Sequence, residues 1–110
     1  QVPEQTDLVV IDVSFISLKL VIPKVLEFLK PEGKIIALVK PQFEVGKGQV
    51  GKGGIVRDEG LREKTVSDIK QFCEGLGLPC LGITKSPQPG AKGNVEYLLY
   101  LVTPPLSHAK

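Results

Sequence analysis

A chain of 110 residues is one domain's worth of material, the usual size being about 100–150 residues. With 42% hydrophobic and 24% charged residues it can fill one core, which excludes a disordered chain; its longest apolar run, Tyr97 to Val102, is far below the roughly 20 residues of a membrane helix, and no signal-peptide pattern opens it. Fourteen Lys and Arg against twelve Asp and Glu leave a net charge of +2, too mild to announce a nucleic-acid partner, so any basic surface is local.

The sequence opens almost directly on Asp7-Leu-Val-Val-Ile-Asp12, a β-branched run bracketed by acids that reads as a fully buried strand. Apolar positions 18, 21, 22, 25, 26 and 29 then follow helical spacing, with Ser17 as N-cap and Pro23 either kinking the helix or marking its proper start. Pro31-Glu32-Gly33 reads as a tight turn into a second strand, Lys34 to Lys40, and residues 41–58 as a long glycine-rich loop. A helix is predicted over 59–75, capped by Asp58 and stopped by Gly75 or Gly77, with Leu61, Val66, Ile69, Phe72, Cys73 and Leu76 on one stripe. Leu78 to Thr84 is a third strand, Lys85 to Asn94 a second loop, and Val95 to Val102 a last strand ended by Pro104-Pro105. Residues 104–110 read as a loose tail. Cys73 and Cys80 fit no metal-ligand spacing and read as reduced cytosolic thiols, so no metal site is expected.

Strands alternating with helices imply parallel strands joined by right-handed crossovers, an α/β sheet. The last two strands have no helix between them and are predicted to form an antiparallel hairpin at one edge. In such a sheet the carboxyl ends of the parallel strands share one rim, where ligands bind. The first strand ends in Asp12, the second in Lys40, and the reversed last strand returns Glu96 to the same rim. Both long loops lie there too. Charges often end buried strands merely because the strand has reached water, but three at one rim beside both long loops point to a site.

The long loop contains two misleading matches. Gly46-Lys-Gly-Gln-Val-Gly51 fits a dinucleotide fingerprint, yet it neither follows a strand directly nor opens a helix, and position 71 is Gln rather than an acid. Gly46 to Lys52 fits most of a phosphate-binding loop, but Gly53 stands where Ser or Thr must hold magnesium. Between Lys40 and Arg57, four basic residues (Lys40, Lys47, Lys52, Arg57) face Glu44 alone, and five glycines occupy positions 46–54. A flexible basic loop of this kind suits a phosphate backbone, with Lys47, Lys52 and Arg57 as RNA-binding candidates; the plain alternative is a solvated mobile loop.

Four stretches, Asp12-Val-Ser-Phe-Ile-Ser17, Lys40-Pro-Gln-Phe-Glu44, Val50-Gly-Lys-Gly-Gly-Ile-Val-Arg-Asp58 and Gly93-Asn-Val-Glu-Tyr-Leu98, together resemble the TlyA-type (hemolysin-A-like) rRNA methyltransferases of the FtsJ/RrmJ-like group. The resemblance runs from about Asp7 to Val102. It implies a Rossmann-like sheet whose last strand is antiparallel, and transfer of a methyl group from S-adenosylmethionine to a ribose 2′-hydroxyl of ribosomal RNA. The family's Lys-Asp-Lys-Glu set would fall on Asp12, Lys40 and Glu96, with Asp12, Ser14 and Phe15 bordering the cofactor's methionine end. The first Lys, the glycine-rich cofactor loop and an S4-like RNA-binding domain have no counterpart here. The chain therefore looks like the carboxyl-terminal half of a methyltransferase domain (1–103), inactive alone.

A ribose hydroxyl is a poor nucleophile until its proton is leaving. Lys40 would accept that proton or stabilise the developing alkoxide, with Asp12 and Glu96 holding its amine; lacking the first Lys, it reads better as an ammonium that orients or stabilises. A cytoplasmic protein is expected, with ribosomal RNA as partner, no membrane, and a homodimer through the sheet edge that missing strands would expose. The alternatives are an RNA-binding module without catalysis, a P-loop nucleotide binder, and a membrane-active hemolysin, the last lacking the amphipathic or spanning segment it needs.

Overall fold

In the computed structural model, which describes residues 6–46 and 49–103, the first β-branched run forms β1 (Thr6–Ile11). Helix α1 (Leu18–Val25) follows, and the Ser17 side chain caps it by accepting from Lys19 N at 3.0 Å. It is shorter than the spacing predicts. Pro23 lies inside it and contributes no N–H, and α1 ends at Val25, where the chain passes into a 3-10 turn over Leu26–Phe28.

Strand β2 (Leu29–Val39) begins before the turn that was expected to precede it. Thr6 pairs with Leu29 and Leu8 with Lys34, so β2 advances five residues while β1 advances two. Pro31-Glu32-Gly33 is thus a bulge within the strand. The segment expected as uninterrupted loop opens with a single helical turn, α2 (Pro41–Glu44), begun by proline in the first position. Helix α3 (Glu59–Gly75) has its predicted span and its predicted cap, Asp58 accepting from Leu61 N at 3.2 Å. Leu76, placed on its apolar stripe by spacing, is 39% exposed because the helix has ended there; Thr65 is buried on that stripe instead.

β3 (Cys80–Lys85) and β4 (Tyr97–Val102) form the predicted antiparallel hairpin. The sheet order is β1-β2-β4-β3, with β1 and β2 parallel and β4 antiparallel to both its neighbours. The hairpin therefore does sit at one edge, but β3 is outermost and the last strand lies inside. Beyond β4, Thr103 closes the sheet on the bulge: Gly33 N donates to its Oγ1 at 2.7 Å, and its N donates to Gly33 O at 2.8 Å.

Strand alternation places the core on one face. Ile35, Ala37 and Val39 of β2 and Tyr97, Leu99 and Leu101 of β4 are buried with Leu18 and Ile22 of α1 and Val66, Ile69 and Cys73 of α3. Each fully buried aliphatic side chain of this size contributes about 1.5–3 kcal/mol. The opposite face carries Leu8 and Val10, 52% and 64% exposed, with Ile36, Leu38, Leu98 and Tyr100 half-buried. Both cysteines are free thiols.

Candidate active site

The rim predicted from strand direction is a cleft of about 590 Å³. Its walls include Asp12, Ser14 and Phe15 after β1, Lys40, Gln42 and Phe43 after β2, and Ser86, Gly90 and Glu96 between β3 and β4. Asp12, Lys40 and Glu96 thus meet at one site although they are far apart in sequence. The volume falls in the range of about 300–1,000 Å³ usual for small-ligand sites.

Lys40 is the N-cap residue of α2, with a side chain only 13% exposed. Its Nζ lies 2.6 Å from Asp12 Oδ1 and donates to Ser14 Oγ at 3.1 Å. An ammonium has three N–H donors, so these two partners leave one for another acceptor. Glu96 is arranged differently from the expectation that it would hold the lysine amine: no ion pair joins it to Lys40, and its Oε2 accepts instead from Gln42 Nε2 at 2.9 Å. Glu96 is 5% exposed and stands just before β4, where the pairing of Tyr97 with Val39 sets it beside the end of β2; its carboxylate nevertheless meets the first turn of α2 through Gln42.

Phe15 has a backbone φ of 66°, a left-handed conformation uncommon for a bulky residue. That geometry leaves its side chain 87% exposed, with its ring centroid 4.7 Å from that of Phe43. A tilted aromatic pair therefore stands at the mouth of the cleft.

Three residues that sequence reasoning did not single out organise this rim. Gln42 is one. Glu44 is another: Ser17 Oγ and Leu18 N donate to its two carboxylate oxygens at 2.7 and 2.8 Å, so the one acid of the basic loop is committed to the start of α1. The third is Asn94, whose Oδ1 accepts from Val56 N and whose Nδ2 donates to Gly54 O, each at 3.0 Å. It clips the glycine-rich loop to the chain two residues before Glu96. The loop turns there through Gly53 and Gly54, with φ of 78° and 80°, which glycine adopts without a steric penalty. Pro41 is a residue type favoured at the first helical position, but a single turn leaves no periodic pattern to place Gln42. The other two rest on long-range contacts.

Of the RNA-binding candidates, Arg57 is exposed at the end of this clipped loop, while Lys47 and the side chain of Lys52 lie outside the described residues. Among the described residues no group of His, Cys, Asp and Glu could hold a metal ion, and no helix is long and apolar enough to cross a membrane.

Residues 1–103 match the family described as FtsJ-like methyltransferase. The chain is 50% identical over 99 residues to the 16S/23S rRNA (cytidine-2′-O)-methyltransferase TlyA of Mycobacterium tuberculosis, covering 90% of this chain and 37% of that protein. It is 40% identical to Hemolysin A of Brachyspira hyodysenteriae, covering 90% of this chain and 41% of that one. A solved structure of a Lactococcus lactis protein named for hemolysin superimposes with a TM-score of 0.86 at 43% identity, over 89% of this chain and 47% of the other. The chain thus spans well under half the length of the curated relatives it matches.

Proposed function

The chain belongs to the FtsJ-like methyltransferase family, and on that premise we propose that it is the catalytic-rim portion of an S-adenosylmethionine-dependent rRNA ribose 2′-O-methyltransferase. The observation that carries this reading is the Lys40 ammonium, 2.6 Å from Asp12 and sharing one cleft with Glu96. In the complete enzyme Lys40 orients the ribose 2′-hydroxyl with its remaining N–H and stabilises the negative charge that develops on the oxygen. Asp12 and Ser14 fix where that ammonium points. Glu96 supplies a second negative wall to the same cleft.

The residues present fit one side of a cofactor site, within the C-terminal half of a Rossmann-like sheet. Asp12, its side chain 60% exposed, and Ser14 offer a carboxylate and a hydroxyl where a sulfonium and an ammonium would be held, and Phe15 offers an apolar wall. Bound there, S-adenosylmethionine supplies an electrophilic methyl group. Lys47, Lys52 and Arg57 hold the phosphate backbone of ribosomal RNA. The protein works in the cytoplasm, and in the chain alone a second copy pairs with the open edge of β1.

The test is Lys40→Ala in the complete protein, assayed by methyl transfer to ribosomal RNA. We expect a loss of about 100-fold or more in kcat, the scale of removing one preorganised transition-state donor. A wild-type rate would overturn the assignment. A chain that binds RNA in a salt-dependent way but neither binds S-adenosylmethionine nor supports transfer would instead be a binding module.

A further inference from the structure

We propose that Gln42 is a positioning residue that sets the Glu96 carboxylate in the cleft, an inference that rests on reading Asp12, Lys40 and Glu96 as the catalytic set. Lys40 directs its contacts to Asp12 and Ser14, so it does not orient Glu96. Among the described residues the carboxylate has one hydrogen-bond donor, Gln42 Nε2 at 2.9 Å. The backbone of Gly90 packs so closely against the same carboxylate that a Cβ there would overlap it. Glu96 is therefore confined by a glycine and held by an amide. Lys40 and Gln42 flank Pro41 at the start of α2, so one short segment reaches both carboxylates of the cleft, Asp12 through the lysine and Glu96 through the glutamine.

The amide's orientation argues for function over packing. Gln42 is 9% exposed, and its Oε1 is buried with no hydrogen-bond partner. Buried amides are normally satisfied at both ends. Turning the group over would set its oxygen against a carboxylate oxygen, so Glu96 dictates which way it faces and the acceptor goes unmatched. A side chain kept only to fill this space would be apolar, with no polar atom left over.

The experiment is a double-mutant cycle in the complete protein. Gln42→Leu keeps the size and removes the donor. It should lower kcat by about 10- to 100-fold, the scale of a misplaced reacting group, with KM for the RNA changed by less than about threefold. In a Glu96→Gln background the same substitution should cost less than about twofold more, because residues acting through one contact are not additive. Losses that multiply in the double variant would overturn the proposal, as would an unchanged kcat in Gln42→Leu. A readout independent of activity comes from the side-chain amide resonances of Gln42 in this 110-residue chain. They should be protected from exchange and should move on Glu96→Gln. Rapidly exchanging resonances indifferent to that change would sink the contact itself. An inactive wild-type enzyme would count against the methyl-transfer reading alone, leaving the resonances to decide on Gln42.

Discussion

At Gly90 the backbone lies against the Glu96 carboxylate, and its N donates to Asn94 O at 2.8 Å, so the turn that carries Glu96 is closed by the residue that confines it. Gly90→Ala must push the carboxylate away or open the turn. A stability loss of about 1–3 kcal/mol is expected, as for overpacking at other tight sites. Thermal melting checks it, and kcat should fall with it because Glu96 is displaced from the cleft. Cys73 is a second residue whose surroundings set a measurable property. Burial pushes its thiol from the ordinary 9.0 up to about 11, with Cys80 and Glu74 adding to the rise. The folded state thus holds this proton more tightly than the unfolded one. Its contribution is fully present below pH 9 and is lost as pH climbs toward about 11. Urea midpoints measured across that interval should fall in the wild type and fall less in Cys73→Ala.

At the scale of elements, α1 owes its start to two residues of unlike legibility. Ser17 lies next to the helix and was readable as a cap, since a hydroxyl before an apolar stripe satisfies an orphan N–H. Glu44 comes from beyond β2 and accepts from Leu18 N and Ser17 Oγ at once. No local pattern announces a cap supplied from 26 residues away. Glu44→Ala should cost about 1–2 kcal/mol, the upper range for a lost cap and a charge-assisted hydrogen bond. Glu44→Gln should recover part of it by keeping one acceptor, and chemical denaturation separates the two. The same contrast runs through the site. Asp12, Lys40 and Glu96 were placed together from sequence because strand direction alone sends them to one rim. That Glu96 meets Gln42 instead of Lys40 was not legible, because it depends on α2, a single turn too short to leave a periodic signal. The bulge at Pro31-Glu32-Gly33 escaped for a related reason: proline and glycine spell a turn, and only the register with β1 shows the strand continuing through it.

Over the whole molecule, the sheet is finished on one face and open on the other. Parallel sheets are ordinarily covered on both faces, since βαβ crossovers bury them. Here α1 and α3 share the core with one face, while Leu8, Val10 and Leu81, 52%, 64% and 66% exposed, stand on or beside the other. Leu8, Ile36, Leu81 and Tyr100 line a shallow cleft of about 290 Å³ on that side. Among the described residues strand β1 also has β2 as its single neighbour, which leaves its other edge unpaired by any described strand. An apolar face meeting an unpaired strand edge favours association, and natural edges commonly resist it with an inward-pointing charge. In the chain alone, sedimentation should therefore show concentration-dependent association, and Val10→Lys should shift it toward monomer with little loss of stability because that side chain is already mostly in water. Leu81→Lys, in β3 at the other edge of the sheet, distinguishes the face near β3 from the β1 edge. If it abolishes association while Val10→Lys does not, the face near β3 rather than the β1 edge joins the copies, and the pairing proposed at β1 fails.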